Sequence, residues 1–179
     1  MNKMNGKKSD FALMRTEGTQ IIIGYGLKKI TGTNLYEWYE IYLAKKKINN
    51  LTLQMVKDAI IKDIDARTDA KILNGYPFTP DGAEEPIIVW LSKESQTNFS
   101  EAQRLQIVPV KFKLNETEDK QPIYHTFETT TELDRFYLCG VAYIQQCLQE
   151  GWAEKDGIDW APYENLFPQT EQANQQSGE

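Results

Sequence analysis

Apolar positions along this chain change their period several times, and each change marks an element. Between residues 11 and 45 the runs are β-like, and in the second of them Ile21, Ile23, Tyr25 and Leu27 alternate with Ile22, Gly24, Gly26 and Lys28. Phe11–Arg15, Gln20–Thr31 and Leu35–Lys45 read as a three-stranded meander, separated by turn chemistry at Glu17-Gly18 and Thr31-Gly32-Thr33-Asn34. The third strand is apolar on both faces: Leu35, Tyr39, Ile41 and Leu43 on one, Tyr36, Trp38 and Tyr42 on the other. Such a strand is covered on both sides or meets a partner.

From residue 51 the spacing becomes helical. Leu53, Val56, Ile60 and Ile64 form a narrow stripe, Thr52 is the expected N-cap, and Leu51 with Val56 has the spacing of a hydrophobic staple. Asn74-Gly75 is the expected stop. A hairpin follows, Tyr76–Thr79 and Ile87–Leu91 about a Pro80-Asp81-Gly82 turn. The run Ile87–Leu105 breaks at Leu91-Ser92 into an amphipathic helix that starts at Ser92, or at Asn98 with Glu101 as its capping box, and packs through Leu91, Phe99, Ala102 and Leu105. Val108–Leu114 and Ile123–Phe127 read as a second hairpin, with Pro109 at an edge or strand start.

The longest helix is expected over Glu132–Gln149, its buried sector built from Leu133, Phe136, Tyr137, Gly140, Ile144, Cys147 and Leu148. Gly140 within that stripe predicts another backbone packed closely against it. After Gly151 a short irregular segment carrying Trp152, Trp160 and Tyr163 is expected to lie on the core. The fold class is therefore α+β: a three-stranded N-terminal meander over 11–47, an attachment module, then helix–hairpin–helix–hairpin–long helix over 48–165 packed as one core. Residues 1–10 and 166–179 are expected to be disordered.

Composition narrows the function classes. The net charge of −6 argues against a general nucleic-acid binder. The one basic cluster, Lys45-Lys46-Lys47, reads as a solvated loop. Lys3, Lys7 and Lys8 lead into no apolar h-region, and no run reaches membrane-spanning length, so a soluble protein made in the cytoplasm is expected. Cys139 and Cys147 stand eight residues apart on one helix, about 12 Å, too far for a disulfide, and are expected as buried free thiols.

Side chains suited to catalysis are few. His125 is the only histidine, which rules out a His–His metal pair, and a structural role beside Tyr124 and Phe127 is expected. Asp65 and Asp69 share a helix face, but they alternate with Lys62, Arg67 and Lys71 as on a solvated surface. Gly24-Tyr25-Gly26 lies inside a strand and has no third glycine opening a helix, so it lacks the context of a dinucleotide site. Neither cysteine has a basic neighbour to activate it. No catalytic, cofactor-binding or metal residue is assigned, and the chain is expected not to be an enzyme. The aromatic face of Tyr36, Trp38 and Tyr42 is the candidate protein-interaction surface.

Ile61–Ile72 (IKDIDARTDAKI), Gly75-Tyr76-Pro77-Phe78 and Val89–Phe99 (VWLSKESQTNF) carry a resemblance. Together they resemble a domain of unknown function common in phage and prophage proteins. In that family an I-x-x-I-D helix leads to a hairpin whose second strand reads V/M-W-L and runs into a helix. A V-x-F-x-L strand and a long aromatic-rich helix follow. Val110–Leu114, Tyr124–Phe127 and Leu133–Tyr143 keep that order, so the resemblance spans roughly residues 50–163.

The family is found in tail- and tail-fibre-associated proteins, and the closest likeness is to virion proteins of phages of gut bacteria. The resemblance implies a virion structural protein of the tail, fibre or head-decoration apparatus. Such a protein is made in the host cytoplasm and resides in the virion. Its expected partners are other virion or tail proteins or its own copies as a homo-oligomer, with no nucleic acid and no membrane. A tail-fibre assembly chaperone is the alternative, and an enzyme using His125 ranks third. Trp90 and Leu91 are the expected core anchors at the strand-to-helix corner, with Phe99, Phe136, Gly140 and Ile144 as further anchors.

Overall fold

The structure, a computed structural model, describes residues 2–45 and 51–167. It is mixed α+β and divides into two compact units, Met1–Ile64 with Lys155–Glu179, and Asp65–Glu154.

The first unit holds a four-stranded antiparallel sheet in the order β1-β4-β3-β2: β1 (Asn2–Gly6), β2 (Met14–Glu17), β3 (Gln20–Lys29) and β4 (Tyr36–Ala44). The predicted meander is β2-β3-β4. The extra edge strand overturns the expectation of a disordered 1–10. Asn2 to Gly6 pair with Glu40 to Tyr36, and a single 3-10 turn follows at Lys8–Asp10. A composition test for order counts apolar burial, whereas this polar strand is held by backbone pairing to β4 and by the Lys3–Glu37 ion pair (2.7 Å).

Both faces of β4 are covered. On one face Ile23 and Tyr25 of β3, with Tyr39, Ile41 and Leu43 beside them, pack on Val56, Ile60 and Ile64 of α1 (Leu53–Asn74). Thr52 caps that helix, its Oγ1 accepting from Met55 N at 3.3 Å. After α3 (Thr130–Asp156) the chain returns to this core through Ile158, Trp160 and α4 (Ala161–Glu164), where Tyr163 Oη donates to Gly24 O at 2.7 Å. On the other face the segment before β2 crosses the sheet. The Ala12 carbonyl lies so close to Gly24 that a Cβ there would stand 2.3 Å from it.

The second unit begins inside α1. Gly75, at φ +84°, ends the helix and lets the chain reverse against the Val89 carbonyl, which a Cβ at residue 75 would meet at 1.9 Å. The first hairpin is β5 (Tyr76–Phe78) with β6 (Ile87–Val89), and α2 (Lys93–Leu105) follows. Ser92 is the N-cap, its Oγ accepting from Ser95 N at 3.0 Å, which selects the earlier of the two predicted starts. β7 (Val110–Glu116) and β8 (Pro122–Phe127) form the second hairpin.

Phe136 of α3 is fully buried at the centre of this core, with ring centroids at 5.0 Å from Phe78, 4.8 Å from Phe99 and 4.6 Å from Phe127. Leu91, Phe99 and Gly140 are buried as expected, and Ile144 is half-buried against the same core. Trp90 is not an anchor: it is 42% exposed. Alternation along an extended segment sends Val89 and Leu91 inward and Trp90 outward, while its backbone N donates to Leu114 O at 2.9 Å. Nor does a backbone fill the space at Gly140. The Tyr76 ring does so, with its hydroxyl donating to Phe136 O at 2.8 Å.

Two expectations about boundaries change. The apolar residues form two cores rather than one, and the division falls within α1 and α3 instead of near residue 47. A helix of 22 residues is about 33 Å long, more than one small core covers. Its stripe serves the first core through Val56, Ile60 and Ile64 and the second through Ile72. The long helix also runs past Gly151 to Asp156. A Cβ at Gly151 would stand 2.4 Å from Thr68 Oγ1, so the glycine admits the close approach of α1. Bidentate pairing of Arg67 with Glu154 (2.9 and 2.5 Å) and a Lys71–Glu150 pair hold the same two helices.

Candidate functional site

The aromatic face of β4 is closed around a buried carboxylate. Strand alternation puts Tyr36, Trp38, Glu40 and Tyr42 on one side. Glu40 Oε1 accepts from Arg15 Nη1 at 2.7 Å and Trp38 Nε1 at 3.0 Å; Oε2 accepts from Arg15 Nη2 at 3.1 Å and Tyr42 Oη at 2.8 Å. The Arg15 hydrogen bonds hold its carboxyl at about 2, outweighing the upward push of burial, and Trp38 and Tyr42 add to the effect. Phe11 closes the cluster with its ring edge-on to Trp38 at 6.1 Å. Trp38 is only 3% exposed, which removes it as a docking residue. Tyr36 is half-buried, and Tyr42 shows its ring rim while its hydroxyl is committed to Glu40. A buried charge needs its partners more than it needs a surface.

His125 is a clamp between β8 and the start of α3. Its Nε2 lies 3.0 Å from Glu132 Oε1, and its ring stands edge-on to Phe127 at 4.6 Å. Glu132 is itself buried, and the same oxygen accepts from Asp81 N at 2.8 Å, tying the first hairpin's turn to the helix. Among the described residues no group of three or more His, Cys, Asp or Glu side chains is placed to hold a metal ion. Among them, too, no helix is long and apolar enough to cross a membrane. Lys46 and Lys47 of the basic cluster, and the tail from residue 168, lie outside the described residues.

The open surface is elsewhere, on α2 and α3. A groove of about 490 Å³ runs between them, floored by Tyr76, Leu91, Phe99 and Phe136. Its α2 wall carries Lys93, Gln96, Thr97, Ser100 and Glu101; its α3 wall carries Tyr137, Gly140, Val141 and Ile144. Burial pushes the Tyr76 phenol up from its ordinary value, the nearby Cys139 thiol adds to this, and Tyr76 remains a neutral donor on the groove floor. Beside the groove Leu138 stands 63% exposed, one helical turn before Val141, and Trp152 is exposed further along. Cys139 is exposed next to Leu138, contrary to expectation, while Cys147 is buried and both thiols are free.

A signal for this face was present in the sequence. From Phe136 to Gln149 there is no Asp, Glu, Lys or Arg in fourteen residues, in a chain of which 26% is charged. A helix without charge around its whole circumference expects cover on more than one side. Comparison of the chain with protein-family models, with curated proteins and with solved structures yields no match.

Proposed function

We propose that this chain is a structural component of a bacteriophage particle, in the tail, fibre or head-decoration apparatus, that acts through protein–protein contacts and performs no catalysis. The observation that carries the interaction reading is the uncharged outer face of α3 beside an open, aromatic-floored groove. Interface centres are depleted in charge and enriched in aromatic and apolar side chains, which is the composition found here. The phage context is supported by the resemblance of Ile61–Ile72, Gly75–Phe78 and Val89–Phe99 to a domain of tail-associated proteins. Trp90, exposed at the strand-to-helix corner, is a further aromatic available for contact.

Quantitative mass spectrometry of purified particles, with copy number set against the major capsid protein, tests the reading. A fixed stoichiometry is expected. Absence from particles together with abundance in infected cells would overturn it in favour of an assembly chaperone that leaves its client.

A further inference from the structure

We infer that the groove between α2 and α3 receives a second copy of this chain across a two-fold axis; this deepens the interaction reading above and rests on it. A two-fold interface must be self-complementary, since each residue on the patch meets the same patch reversed. The groove meets that requirement in two independent ways.

The first is charge. Lys93 and Glu101 lie on the same groove wall eight residues apart, about 12 Å along α2, with Thr97 midway. A two-fold axis crossing the groove at the level of Thr97 sets the α2 helices antiparallel and places Lys93 of one copy opposite Glu101 of the other, twice per dimer. Glu101 also pairs with Arg104 on its own helix at 2.7 Å, but that pair is exposed and weak, so the carboxylate remains available to a second cation.

The second is polarity. The same axis sets the two α3 helices antiparallel. Leu138, 63% exposed, more than any other large apolar side chain among the described residues, then stands against Val141 and Ile144 of the other copy. Each chain carries a net charge of −6, so most faces of two copies repel. The Phe136–Gln149 stretch brings no charge to the meeting. A partner of opposite sign would be expected to select a charged face; an uncharged face flanked by one lysine and one glutamate suits its own copy.

Sedimentation velocity of the intact chain across a concentration series is the test. A concentration-dependent dimer is expected. Leu138→Glu should weaken it by at least ~30-fold, as loss of a central apolar anchor does, with the thermal midpoint of the monomer unchanged. Lys93→Glu alone should weaken it about tenfold by setting like charges opposite each other twice, and adding Glu101→Lys in the same chain should restore it.

A monomer at every concentration would overturn the inference. So would a dimer indifferent to Leu138→Glu, or one that the paired charge reversal fails to rescue. The particle experiment is separate: a monomer present in particles would sink the two-fold pairing alone, and a dimer missing from particles would sink the structural role alone.

Discussion

Two rows of apolar side chains, one on β4 and one on α3, have opposite fates in this molecule. Trp38 and Tyr42 flank Glu40, whose carboxylate takes four hydrogen bonds from Arg15, Trp38 and Tyr42; Trp38 is buried, and Tyr42 commits its hydroxyl while its ring stays 37% exposed. Leu138, inside the uncharged stretch Phe136–Gln149, has no such carboxylate beside it in that stretch and stands 63% exposed. Hydrophobicity alone does not separate the two rows. A single charge does, because a buried ion must collect its partners, and collecting them closes the surface around it.

The sharpest way to break the contrast is to attack the closed row. Trp38→Ser removes a large buried side chain and one donor to Glu40, and should destabilise the first unit by ~4 kcal/mol in chemical denaturation. An effect below 1 kcal/mol would mean that Trp38 is not core. Arg15→Met leaves Glu40 buried without its cation and should cost about 3 kcal/mol, less than a fully buried pair would because the arginine is partly exposed.

Acid should act on the same pair. The Glu40 carboxyl sits at about 2 against an ordinary 4.5, so its contribution is complete above 4.5 and is lost as pH falls toward 2. Unfolding free energies measured by chemical denaturation down that range should fall by roughly 3 kcal/mol more in the wild type than in Glu40→Gln, whose carboxamide does not titrate. Parallel slopes for the two proteins would refute the assignment.

The open row should respond least. Leu138→Ser should change monomer stability by no more than ~0.5 kcal/mol, since the side chain is mostly in water. Thiol modification offers the finest comparison. Cys139 should react with a maleimide in the folded protein and Cys147 only after unfolding; equal rates would mean that α3 does not present the face described here.

Where pattern and local chemistry decide the outcome, the chain was readable in advance. The β3 and β4 alternation, the Thr52 cap, the Asn74-Gly75 stop, both hairpins and the inner sector of α3 around Phe136 follow from spacing, capping and turn residues. What misled were positions at which a local signal has two tertiary meanings. Gly151 looked like a helix end, yet α3 continues because Thr68 fills the space a side chain would need. Trp90 was expected as an anchor at the strand-to-helix corner, although strand alternation turns it outward.

The sequence by itself determined the class of the molecule and most of its elements, because secondary structure is largely a matter of neighbours within a few residues. It also carried the uncharged stretch on α3. Only the tertiary structure decided that residues 2–6 complete a sheet, that the apolar residues divide into two cores, and that Glu40 closes one aromatic row while another stays open. Each of these depends on partners distant in sequence: β4 for the first strand, Ile158 to Tyr163 for the first core, Arg15 for Glu40. Burial and charge satisfaction are properties of the assembled surroundings, and no local window contains them.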